Sequence, residues 1–220
     1  MKSRPGEIER GSMAIIAAEL TERGIVLPEE QAAVVMRCIH ASADFDYAEN
    51  LRFTPGAATL AASALRRGTT IVTDTNMALA GISRPAMQTL GCTAVCYMAE
   101  NYIAAAAKER NTTRAAAAMN HAGKEFPQAV FAVGNAPTAL FSLADQIEAG
   151  QRPALVIAAP VGFVNVTESK ARIFRVCMEH GVPCIAAMGF KGGSSIAAAI
   201  CNALLYTACG MLDPKERGWD

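Results

Sequence analysis

From residue 69 onward the chain alternates short, nearly continuous apolar runs with longer segments whose apolar positions recur every three or four residues. The runs are TTIVTD (69–74), CTAVCYM (92–98), QAVFAVG (128–134), PALVIAA (153–159) and VPCIAAMG (182–189). They are short and do not alternate strictly, which is the pattern of strands buried on both faces. Between them lie PTALFSLADQIEAG (137–150) and ESKARIFRVCMEHG (168–181), helical by period and closed by glycine. Two or three helices come before the first run, at about 6–23, 28–41 and 55–67, the second opening on Pro28 with Glu29 and Glu30 in its first turn. The pattern predicts an α/β fold: a mostly parallel sheet of about five strands with helices on both faces, preceded by N-terminal helices. With no linker, low-complexity tract or charge block, residues 1–220 are expected to form one domain.

Composition narrows the function classes. Twenty basic and twenty acidic residues give a formal net charge of zero, which argues against a broad nucleic-acid or membrane-surface binder and makes any anion recognition local. The opening MKSRPGEIER lacks the apolar core of a signal peptide, and no apolar run reaches spanning length, so a cytoplasmic protein with no membrane partner is expected. The seven cysteines are scattered without a C-x-x-C, and Cys92 and Cys96 are spaced to share one face of a strand, so buried thiols are expected. No cluster has metal-ligand spacing. His121 and His180, close before Gly123 and Gly181, fit helix C-termini, where the dipole favours them. Abundant alanine implies small helix faces and close packing, compatible with a dimer.

In open parallel sheets ligands bind beyond the C-terminal ends of the strands. Those ends carry TDTNM (with Asp74), VGNAPT (with Gly134 and Asn135), APVGFVN and MGFKGGSS, all rich in residues that let backbone approach a ligand or that open a helix towards an anion. KGGSS (191–195) invites a phosphate-loop reading, but Lys191 precedes Gly192 and Gly193, so the G-x-x-x-x-G-K-[ST] pattern is missing; a nucleotide-dependent enzyme remains an alternative on this motif alone. The stretch VVMRCIHASADFDY (34–47) places Arg37 and His40 on one helix face, one turn apart. An arginine is costly as core filling because it cannot shed its charge. It suits an acidic ligand, with the histidine able to give or take a proton near neutral pH. Asp44 and Asp46 fit ordinary solvation of the helix end.

The segments IERGSMAII, RCIHAS, TDTNMALAGISR, RNTTRAAAA, GNAPTALF, PVGFVNVTESK and KGGSSIAAAICNAL span nearly the whole chain. In their order and spacing the chain resembles the precorrin-8X (cobalt-precorrin-8) methylmutases of corrin-ring biosynthesis. The resemblance implies an α/β homodimer with active sites near the subunit interface and a tetrapyrrole polycarboxylate as substrate. It also implies an isomerase that moves a methyl group from ring carbon 11 to ring carbon 12 and releases a corrinoid product. Carried over residue by residue, His40 is the catalytic histidine, with Ser12, Arg37 and Arg114 as substrate contacts. Asp74, Ser83, Asn135, Lys170, Lys191, Gly192 and Gly193, within the matching motifs, complete the implied substrate-binding set. Gly11 and Phe190 depart from the family pattern, standing where basic residues are common. The implied rearrangement needs no redox cofactor, nucleotide or metal ligand, so no cofactor is expected. A corrinoid carrier without turnover is the alternative of a different class.

Overall fold

The computed structural model describes residues 4–219. Three helices open the chain: α1 (Pro5–Glu22), α2 (Glu29–Ser42) and the short α3 (Tyr47–Asn50). They lead into β1 (Leu51–Phe53), α4 (Ala57–Arg66) and β2 (Ile71–Thr73). Then come α5 (Asn76–Gly81), α6 (Arg84–Leu90), β3 (Ala94–Val95), α7 (Asn101–Glu109), α8 (Arg114–Glu125) and β4 (Val130–Val133). The regular βα alternation closes the fold with α9 (Pro137–Glu148), β5 (Leu155–Ala158), α10 (Val166–His180), β6 (Cys184–Ala187) and α11 (Ser194–Cys209), followed by a 3-10 turn at Pro214–Arg217.

The expected mostly parallel sheet is present, with one strand more than the apolar runs indicated. Its order is β1-β6-β5-β4-β2-β3, and β1 joins the edge antiparallel, pairing Leu51 with Ala187 and Phe53 with Ile185. LRF gives three residues with an exposed arginine at the centre, too short and too polar to stand out as a strand. Only pairing with β6 makes it one. The CTAVCYM run shrinks in turn to Ala94–Val95, so Cys92 and Cys96 flank the strand and do not share its face.

Alternation along the central strands divides the core in two. Val130, Ala132, Leu155, Ile157, Ile185 and Ala187 face a layer from α1, α2, α4 and α11. Phe131, Val133, Val156, Ala158, Cys184 and Ala186 face α8, α9 and α10. Successive residues point to opposite faces, so a strand apolar at every position buries both. All seven cysteines are free, and five of them (Cys38, Cys92, Cys177, Cys184 and Cys201) are buried.

His180 ends α10 just before Gly181, which adopts the left-handed conformation (φ 66°), as expected. His121 does not end a helix. α8 continues to Glu125, because Gly123, in its last turn, stays helical as a contact point and is not a stop: a Cβ there would strike the Gln146 and Gln151 side chains. His121 instead lies 3.1 Å from Glu125 and packs edge-on to the rings of Tyr97 and Tyr102.

Counted in chain order, the parallel strands β2 to β6 lie 2-1-3-4-5 across the sheet, so the path reverses between β2 and β4. That reversal opens a crevice at the strand C-termini. Gly134, at the end of β4, lies against the start of α11, where a Cβ would come within 2.7 Å of the Ser194 Cα. Gly134→Ala should therefore destabilise the protein by about 1–3 kcal/mol through overpacking, read as a lower urea midpoint. A midpoint equal to that of the unmodified chain would mean that the two backbones separate without cost.

Candidate active site

The crevice between β2 and β4 is filled from within. Asp74, buried at the end of β2, accepts hydrogen bonds from the backbone N–H groups of Gly134, Asn135 and Ala136, each at 2.8 Å. Burial pushes its carboxyl above the usual range, against the pull of those donors, which favour the charged form. Beside it Thr75 caps α5, accepting from the Ala78 N–H at 3.0 Å, and its hydroxyl also meets that of Ser194 at 2.8 Å. Asp74 is thus engaged by backbone, while the Asn135 side chain stays exposed.

The loop after β6 is built over the same end. The Gly193 N–H donates to the Ala159 carbonyl at 2.8 Å, and a Cβ on Gly192 would overlap that same carbonyl oxygen. Only glycine lets the 189–193 loop lie so close on the end of β5. Beneath it Lys170 is 0% exposed, and its Nζ donates to the carbonyl oxygens of Gly189 and Lys191 at 2.8 Å each. Burial lowers its pKa to about 8. Lys170 was expected to touch substrate; its ammonium instead supports the loop from below. Lys191 projects outward and pairs with Asp44 at 2.7 Å and with Asp46. Those two acids therefore do more than solvate the end of α2, and Lys191 holds the Asp44 carboxyl below its ordinary range. The pairing ties the glycine loop to the turn that follows His40.

His40 itself lies exposed in the last turn of α2. Among the described residues no hydrogen bond or ion pair occupies its ring, whereas His121 meets Glu125 and His180 meets Arg152. Arg114 opens α8, exposed, behind Thr113, which caps that helix and donates to Thr138 in the first turn of α9 at 2.8 Å. Asn135, Arg114, Lys191, Gly192, Gly193 and His40 are thus brought to the strand C-terminal end. Ser83 is not exposed there in the same way. It caps α6, and its N–H donates to Asn202 Oδ1 at 2.7 Å. Ser12 is part-buried on α1, its hydroxyl donating to the Ile8 carbonyl at 2.9 Å.

Arg37 departs from expectation. Instead of presenting its charge to open space, it meets Glu9 Oε1 at 2.8 Å, and Glu9 also receives Arg217 at 2.6 Å. Burial alone would raise the Glu9 carboxyl, but the Arg217 contact and the Arg37 charge override it and hold it below the ordinary range. Glu9 went unnoticed in the sequence, although its spacing to Ile16 and Leu20 puts it on the apolar face of α1.

A model of the precorrin-8X methylmutase family matches residues 7–207. The chain belongs to that family. Curated relatives include the cobalt-precorrin-8 methylmutase of Leptospira interrogans, 37% identical over 90% of this chain and 91% of that protein. The precorrin-8X methylmutase of Pseudomonas aeruginosa is 39% identical over 90% and 93% of the two chains. Among solved structures, the precorrin-8X methyl mutase from Thermus thermophilus superposes with a TM-score of 0.82 at 37% identity, covering 92% of this chain and 98% of that one. As a member of the methylmutase family, the protein is an isomerase of cobalamin biosynthesis. Among the described residues no helix is long and apolar enough to cross a membrane, and no group of three or more His, Cys, Asp or Glu side chains is placed to hold a metal ion.

The buried lysine of this methylmutase gives a test by pH. Its folded-state pKa of about 8 lies below the ordinary 10.5, so between those values the unfolded chain binds more protons and stability rises with pH. The stability of the unmodified chain relative to Lys170→Met should therefore improve from pH 8 to pH 10.5, followed by urea unfolding. A difference that stays flat across that window would mean that the ammonium is solvated.

Proposed function

We propose that the enzyme moves the methyl group from ring carbon 11 to ring carbon 12 of a (cobalt-)precorrin-8, giving (cobalt-)cobyrinic or hydrogenobyrinic acid, with His40 as the proton donor and acceptor to a ring nitrogen. The observation that carries this reading is the unoccupied His40 ring, exposed at the strand ends where the loops converge. A proton delivered to the macrocycle draws electron density from it as the methyl group migrates, and its return to the imidazole releases the product. The substrate's acetate and propionate groups call for dispersed cations. Arg114 and Lys191 are exposed at this end, and each forms a charge-assisted hydrogen bond with a carboxylate. Lys191 must first leave Asp44 and Asp46; such exposed pairs contribute only about 0–1 kcal/mol, so a substrate carboxylate replaces them at little cost. Ser12 supplies a further hydrogen bond.

A second copy of the chain completes the pocket in this proposal. Phe163 is 82% exposed and packs at 5.5 Å on Phe190, with Val161 and Val164 also open beside the glycine loop. Contiguous apolar groups at this density are suited to a partner surface. Phe190, standing where the family often has a basic residue, adds to that apolar surface.

His40→Ala should lower turnover by about two to four orders of magnitude, read from the absorbance of the corrin product, while substrate binding weakens far less. Near-normal turnover by a folded His40→Ala protein would remove the histidine from the mechanism. Assays with the cobalt-containing and the metal-free substrate assign the branch. Phe163→Asp should shift the chain from dimer to monomer in sedimentation and lower activity with it; full activity from a monomer at assay concentration would rule out the shared pocket.

A further inference from the structure

We infer that Glu9, shared between Arg37 and Arg217, sets the register of the first two helices, and that all three are positioning residues for the reaction. This inference rests on the reading of His40 given above. α1 and α2 run in the same direction: Glu9 meets Arg37, and Arg23 just past the end of α1 lies 4.4 Å over the ring of Phe45 just past the end of α2, so residues 23–28 carry the chain back between them. Ser12 stands three residues after Glu9, and His40 three residues after Arg37. In helices that run the same way those steps point in the same direction. Each covers about 4.5 Å at about 1.5 Å per residue, so both groups lie one turn beyond the ion pair, which holds them level with one another along the two helices.

The pair is not a surface contact. The Glu9 side chain is 8% exposed and that of Arg217 6%. Both guanidinium groups lie over the same ring, Tyr206, Arg217 at 4.4 Å and Arg37 at 5.3 Å, and Arg217 also meets Trp219 at 5.3 Å. Arg217 reaches Glu9 from the C-terminal turn. That turn is tied to α1 a second time by Arg10 with Asp213 at 3.3 Å, and Gly6 leaves no room for a Cβ beneath the Trp219 carbonyl. The chain end thus clasps the first helix and supplies the second cation. One carboxylate with two guanidiniums cannot slide by a turn without leaving a buried charge alone, which is strongly unfavourable. It follows that Arg37 acts through Glu9 and not on a substrate carboxylate.

The test compares Arg37→Met, Arg217→Met, Glu9→Gln and the Arg37→Met/Glu9→Gln double variant in the full chain, with kcat and KM taken below the melting transition of each. The first two leave a matched one-to-one pair, and so remain usable if Glu9→Gln does not fold. A misplaced acid–base group should lower kcat roughly ten- to a hundredfold with KM little changed, and the double variant should be no worse than the worse single one. Lost anchoring alone would lower the melting temperature and leave kcat of the folded fraction intact, which would overturn the inference. A raised KM with kcat kept in Arg37→Met, additive with Glu9→Gln, would also overturn it, because Arg37 would then hold substrate. His40→Ala measured alongside separates the two levels: if it turns over normally, the reading of the site fails, whatever the arginine variants do.

Discussion

The Asp74 carboxylate is the interaction on which the strand-end architecture depends. Where the chain path reverses between β2 and β4 the two loops diverge, and in such sheets the gap ordinarily receives a ligand. Here a side chain from β2 fills it and accepts three successive N–H groups from the loop after β4. A buried carboxylate is tolerable only when its oxygens are satisfied in this way. With that loop fixed, Gly134 lies against Ser194, α11 starts in place, and the glycine loop before it rests on the end of β5. The crevice is closed as a result, and the outward-facing groups are on the loop edges around it.

Two kinds of charge arrangement follow, and burial separates them. Lys191 with Asp44 and Asp46 is largely solvated, so the energy at stake is small and partners can be exchanged. Glu9 with Arg37 and Arg217 is enclosed, so removing one member leaves a costly orphan and the geometry is held. Lys170 belongs with the second kind, although no acid among the described residues pairs with it. Two carbonyl oxygens accept hydrogen bonds from its ammonium, and burial makes the charge easier to lose. A chain of zero net charge can thus present a few exchangeable cations at one end while using others as fixed supports.

The βα rhythm after residue 69, the buried strands, the helix that carries Arg37 and His40, and the glycine-rich strand ends are legible in the sequence. Each rests on side-chain periodicity or on backbone chemistry within a few residues. The family is legible for a related reason: motif order and spacing are properties of the chain. Which charged group meets which is not. Glu9 finds Arg37 and Arg217, Asp74 finds residues 134–136, and Lys170 finds residues 189–191. The same holds for β1, which is a strand only because β6 offers it an edge, and for Arg37, whose apparent readiness for a ligand is answered by an acid 28 positions earlier. These pairings join segments distant in sequence, and the order of strands and the packing of helices across the sheet bring them together. Periodicity is local and was determined by the sequence alone; charge pairing needs the whole core in place, so the tertiary structure decided it.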